Sequence, residues 1–145
     1  MSTKIFRIAL LTLVLLLCFT SCTLVDDLKR DAANVAVFAL EFVDLIENPT
    51  LEKAEELTHP SSPLTAENVI ERLENDEKLA GVDPSTQSIT LEEVGEATFK
   101  FHDAELGGNV YEIGCVVVIG ETRFTVVLTM LSNDDGFGIY DFEIK

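Results

Sequence analysis

The chain has 145 residues and a formal net charge of −16, with 47% of its residues apolar and three cysteines. So large an excess of acid repels a phosphate backbone and anionic headgroups alike, which excludes nucleic-acid binding and adsorption to a membrane by charge. The length allows a single domain with a hydrophobic core.

The first 21 residues fall into three zones. Met1 to Arg7 carries Lys4 and Arg7 and no acid, residues 8–19 are an apolar run broken only by Thr12, and the small Thr20 and Ser21 precede Cys22. A basic start, a short apolar run and a small-residue exit predict a secretory signal peptide. The apolar run is too short for a spanning helix, which needs about 20 residues. Phe19-Thr20-Ser21-Cys22 resembles the lipobox of bacterial lipoproteins, with Phe19 where Leu is usual. Cys18 is a poor competitor, because bulky Leu17 precedes it. The resemblance implies cleavage before Cys22 and diacylglyceryl attachment to its thiol, with fatty acyl chains such as palmitate as the anchor. Two or more such chains hold durably, at about 0.8 kcal/mol per buried methylene. It also implies a place on the extracytoplasmic side of a membrane. In a host with two membranes that would be the outer one, since Thr23 and not Asp follows the anchor.

Removal of residues 1–21 leaves 124 residues with eight basic and 26 acidic side chains. Cys115 is then the only free thiol, so no internal disulfide forms and packing must hold the domain together. Cys115 sits in an apolar strand with no basic neighbour in sequence, and reads as a small buried hydrophobe. Residues 22–30 form a short tether of roughly 25–30 Å when extended, and residues 31–145 a single domain.

The first element of that domain is an amphipathic helix from about Asp31 to Glu47. Val35, Phe38, Phe42 and Leu45 repeat at steps of three and four, and Ala39 and Ile46 widen the stripe. Asn48-Pro49-Thr50 ends it, and Thr50 caps a second helix with Leu51, Ala54 and Leu57 inward. His59-Pro60 closes that helix. Thr65 caps a third helix with Val69, Ile70 and Leu73 inward, and Gly81 is expected to stop it.

Beyond Asp83-Pro84 the period changes from helical to alternating. Ile89 and Leu91, Phe99 and Phe101, Tyr111 to Ile119, Phe124 to Met130 and Tyr140 to Ile144 read as strands. Gly107-Gly108, Gly120-Glu121 and Asp134-Asp135-Gly136 supply the hairpin turns. Gly95 is placed to bulge one bent strand running from Ile89 to Phe101.

Helices followed by hairpin-linked strands predict an α+β fold, three N-terminal helices covering a curved antiparallel sheet of four to five strands. At this point the chain resembles the nuclear transport factor 2-like, cystatin-like superfamily of α+β cones. Asp135-Gly136-Phe137-Gly138-Ile139-Tyr140 is similar to the last hairpin and strand of its small members, many of which carry Trp where Phe137 stands. The resemblance implies a cavity between helices and sheet, where ketosteroid-isomerase-like members work with a carboxylate base and oxyanion donors. Asp103, Tyr111 and Tyr140 are the inward-reading polar residues this chain would offer there. No family motif carries a catalytic role onto any of them.

The remaining candidates are sparse. His59 and His102 have no second histidine at helical or strand spacing, so neither starts a metal site. His59 is expected at a helix end, where a partly protonated imidazole complements the dipole. His102 is expected on the solvent face with Thr98 and Lys100, opposite Phe99 and Phe101. Ser132-Asn133-Asp134-Asp135-Gly136 lacks the phasing of a calcium loop and reads as a turn. Glu52, Glu55 and Glu56 read as a solvated helix face. No phosphate-binding glycine loop occurs, and the residues imply no cofactor.

Three functional readings follow from this. The first is a membrane-anchored envelope lipoprotein that binds a protein partner or a small apolar ligand without catalysis. The second is an isomerase-like or hydratase-like enzyme working in the helix–sheet cavity. The third is a structural module that forms homodimers through its sheet. A deep cavity with two close carboxyl or phenol groups would favour the enzyme, and a filled core beside an exposed apolar sheet face would favour assembly, the third reading.

Overall fold

A computed structural model of the chain describes residues 26 and 28–145. The signal peptide, the cleavage site and Cys22 lie outside the described residues. The chain divides into two units, Met1–Asp31 and Ala32–Lys145. In the first, residues 26 and 28–31 are helical.

The second unit opens with helix α1, residues 32–47, in which Val35, Ala39, Phe42, Leu45 and Ile46 of the stripe expected from sequence are buried, Phe38 is half-buried, and Val43 is buried beside them. Helix α2 spans Leu51–Leu57 and is capped by Thr50, whose hydroxyl accepts from the Lys53 amide. Ala54 and Leu57 face inward as expected, whereas Leu51 is 46% exposed. In so short a helix Leu51 stands at the first position, on the cap turn, ahead of the stretch that packs. Helix α3 spans Ala66–Glu74 and opens with a capping box between Thr65 and Asn68.

The third helix stops earlier than Gly81 predicts. Both the amide and the side chain of Asn75 donate to the Glu71 carbonyl, at 3.0 and 2.9 Å. Asp76 Oδ1 then accepts from the amides of Lys78 and Leu79, at 2.9 and 3.2 Å. Two side chains that compete for backbone groups thus end the helix, and a separate 3-10 turn at Leu79–Gly81 buries Leu79.

Five strands follow: β1 Ile89–Val94, β2 Thr98–Asp103, β3 Gly108–Ile119, β4 Thr122–Asn133 and β5 Gly136–Ile144. Every pairing is antiparallel, in the order β1-β3-β4-β5, with β2 also paired to β3. β1 lies along Cys115 to Ile119 and β2 along Gly108 to Glu112, so the two are successive halves of one bent edge strand. Gly95 makes the bend. Its amide donates to the Gly114 carbonyl at 2.8 Å, and a Cβ at Gly95 would stand 2.7 Å from that same oxygen.

Register identifies the two faces. Tyr111 faces Met130, Ile113 faces Leu128, Cys115 faces Val126, and Leu128 faces Phe142. These side chains are buried. The helices cover that face: the Phe42 ring meets Phe142 at 5.0 Å and Phe38 meets Phe137 edge-on at 5.1 Å. Arg72 of α3 lays its guanidinium over the Phe142 ring at 4.3 Å and binds Asp141 at 2.7 Å. Helices packed on an open antiparallel sheet make this an α+β fold. The helices are held to each other as well. Lys53 of α2 bridges Glu41 and Asp44 of α1, at 3.3 Å each. Partial burial opposes the Lys53 charge, but hydrogen bonds to Asp44 and Glu41 and their fields outweigh it and hold its pKa above the ordinary value.

Candidate functional site

The polar residues expected inside a helix–sheet cavity occupy three different settings. Tyr111 is buried on the helix-covered face, its ring in edge contact with Phe99 at 5.9 Å. Asp103 pairs with Gly108 and therefore stands on the face opposite Tyr111. Its Oδ1 accepts from the amides of Glu105 and Leu106, at 2.9 and 3.0 Å, so the carboxylate closes the β2–β3 turn. Tyr140 sits where the β4–β5 register shifts, between Ile139 and Asp141, and its carbonyl accepts from the Ser62 hydroxyl at 2.7 Å. Register thus brings Asp103 and Tyr111 to opposite faces of the sheet.

Two cavities open around the end of α3, both lined by helix and loop residues. One is an open depression of about 670 Å³ over the charged and polar Glu71, Arg72, Asn75, Asp76, Glu77 and Lys78. The other, about 240 Å³, lies between the end of α1, the end of α3 and the 82–85 loop, with Ile46, Leu73, Leu79 and Val82 among its walls. Its rim carries Asp83, whose carboxyl is held below the ordinary range by hydrogen bonds from the Ser85 and Thr86 hydroxyls and the Ser85 amide.

His59 departs from its expected role. It is 1% exposed, and both ring nitrogens are engaged. The Ser61 amide donates to Nδ1 at 2.9 Å, and Nε2 lies 3.2 Å from the Gly136 carbonyl. Because Nδ1 accepts, Nε2 must carry the proton and donate. The ring is therefore a neutral pin and not a cation at a helix end. Its backbone continues the tie, since the His59 amide donates to the Ile139 carbonyl at 2.9 Å and Thr58 forms a parallel bridge with Ile139. Gly138 permits this approach; a Cβ there would stand 2.7 Å from the His59 nitrogen.

His102 is exposed as expected, but the face assignment changes. A register shift between Phe99 and Phe101 sets His102 opposite Asn109, on the side of Tyr111 and Phe99, while Phe101 faces Val110 on the other side. His102 Nδ1 donates to Asn109 Oδ1 at 2.8 Å. Among the described residues no group of three or more His, Cys, Asp or Glu could hold a metal ion. Burial pushes the Cys115 thiol above its ordinary pKa, which leaves it a poor nucleophile.

The surface feature that sequence reasoning missed is the β1–β2 edge. Val94, Phe99 and Phe101 are 39%, 47% and 52% exposed, and among the described residues both strands pair only with β3. The signal was present in the alternating Phe99 and Phe101 of a strand also carrying Thr98, Lys100 and His102. Read as a regular strand, that pattern turned both rings towards the core. Among the described residues no helix is long and apolar enough to cross a membrane. No family model, curated protein or solved structure matches the chain.

Proposed function

We infer that this chain is an exported lipoprotein anchored through Cys22, and that its domain, of the nuclear transport factor 2-like type, binds another envelope protein without catalysis. The observation that supports a protein partner is the contrast between the two parts of the sheet. Its central face is closed by helices, while its β1–β2 edge keeps three large apolar side chains in solvent. Protein association buries surfaces of that kind. The anchor rests on the signal layout of residues 1–22. With so acidic a domain, the lipid supplies the membrane attachment and the domain stands off the headgroups.

Two measurements test this reading. Metabolic labelling with a fatty-acid analogue should mark the wild-type chain and not Cys22→Ala; label retained on the variant would remove the anchor. Photo-crosslinking residues placed one at a time across the domain surface should give a discrete protein adduct in cells. Absence of an adduct from every surface would remove the binding role. A second reading, binding of a small apolar ligand, is favoured by the apolar walls of the 240 Å³ cavity. That volume falls below the roughly 300–1,000 Å³ of ordinary ligand sites. Native mass spectrometry of the chain purified from its host would show a bound small molecule directly.

A further inference from the structure

Among the described residues the outer side of β1 and β2 pairs with nothing, so it presents the free amides and carbonyls on which one more strand can form. The side chains narrow what that strand can be. In a regular strand Phe99 and Phe101 would share a face. Here the register shift places Phe99 opposite Tyr111 and Phe101 opposite Val110, on opposite faces of the edge. A strand laid beside β2 would therefore meet an aromatic ring on each of its own faces, and its adjacent residues would both have to be apolar.

The flanks are acidic. Glu93 and Glu96 lie before β2 and Glu105 lies in the turn after it, all exposed. The nearby cations are already engaged, Lys100 with Glu112 at 3.5 Å and Arg123 with Glu92 at 2.7 Å. We propose that the β1–β2 edge takes up, as an added strand, an extended segment of another protein in which adjacent apolar residues are flanked by Lys or Arg. The proposal rests on the protein-binding reading above and names its surface and its partner chemistry. A second copy of this chain does not fit. Pairing two such edges would bring Glu93 and Glu96 against like charges, on chains of net charge −16.

The test uses the full chain in mild detergent, titrated with a synthetic peptide of four valines between pairs of lysines. A twin peptide carries glutamate in place of lysine. The lysine peptide should bind at least about tenfold tighter than its twin, lose affinity with added salt, and slow amide exchange along Thr98–Asp103. Glu93→Lys with Glu96→Lys should reverse the preference between the twins. Both positions are exposed, so folding is not at stake. Phe99→Ser with Phe101→Ser should weaken binding at least about tenfold. Equal affinity for the two peptides, or protection confined to other strands, would overturn the proposal. So would a reversible dimer that Phe101→Ser dissolves, which would give the edge to a second copy. An in-cell adduct at another surface would remove this proposal while leaving the protein-binding reading intact.

Discussion

Replacing His59 by Ala tests whether one buried ring ties the α2 end of the domain to β5. The substitution keeps the backbone bond from the His59 amide to Ile139 and removes only the ring. Three losses follow. The Ser61 amide loses the acceptor it holds at 2.9 Å, which costs about 1–3 kcal/mol when the amide stays dry. The Gly136 carbonyl loses its donor, but Gly136 is exposed and water replaces the ring at little cost. A void of about 50 Å³ at about 24 cal/mol per Å³ adds roughly 1 kcal/mol. The sum is about 2–4 kcal/mol. His59→Asn should recover much of it, because its amide oxygen can accept from Ser61 where Nδ1 does now, although it cannot reach Gly136. Urea unfolding followed by circular dichroism gives both values if the slope is unchanged. Nitrogen NMR of the wild-type ring should report Nε2 protonated and Nδ1 bare. A cost below about 1 kcal/mol for Ala, equal costs for Ala and Asn, or the opposite tautomer would refute the reasoning.

Phe42→Ala should destabilise by about 3–5 kcal/mol, since the ring is fully buried against Phe142; a loss under about 1 kcal/mol in the same unfolding assay would contradict the packing. Gly138→Ala should lower the melting temperature by several degrees, because its Cβ would meet backbone atoms of His59 at 2.7 and 2.8 Å, and an unchanged temperature would mean the bridge is slack. Cys115 should react with a maleimide only as fast as the domain opens. Burial raises its pKa above 9.0, so the neutral thiol favours the fold below that pH and the contribution fades as the pH rises past it; fast alkylation at pH 8 would place the thiol at the surface.

Much of this fold is legible in the sequence, because two different periods write it. The stripe from Val35 to Ile46 can only be a one-sided helix, and Tyr111 to Ile119 alternates through a long hairpin partner. The bend at Gly95 is legible for a related reason: a glycine inside an alternating run marks a close backbone approach. What was not legible depends on contacts far along the chain or on single register steps. Nothing near His59 shows that Gly136 and Ile139 will close over it. A one-residue bulge reverses every side chain after it, so Phe101 and His102 exchange faces with no change in composition. The early end of α3 was available locally, in Asn75-Asp76, but the later Gly81 is the louder stop signal. The site suffered most from this, since Asp103 lies beyond the bulge and so faces away from Tyr111.

The strand order has a consequence for how the chain reaches this structure. From β2 to β5 each strand pairs with its neighbour in sequence, through turns as short as Gly120-Glu121, and β1 reaches past β2 to β3, so most of the sheet can zip from hairpin to hairpin without closing a long loop. The distant ties are of another kind. The His59 ring meets Gly136 across 77 residues, and the Ser62 hydroxyl meets Tyr140 across 78. The entropy of closing those loops falls due only when the helices dock. A chain made from its N-terminus onward releases its helices first and its sheet last. It must therefore wait, with the stripe of α1 uncovered, until β5 has emerged. Refolding should then show strand formation ahead of docking, with His59→Ala speeding unfolding and leaving the folding rate nearly unchanged. If that substitution slows folding instead, the loop closes early and the hairpins form around it.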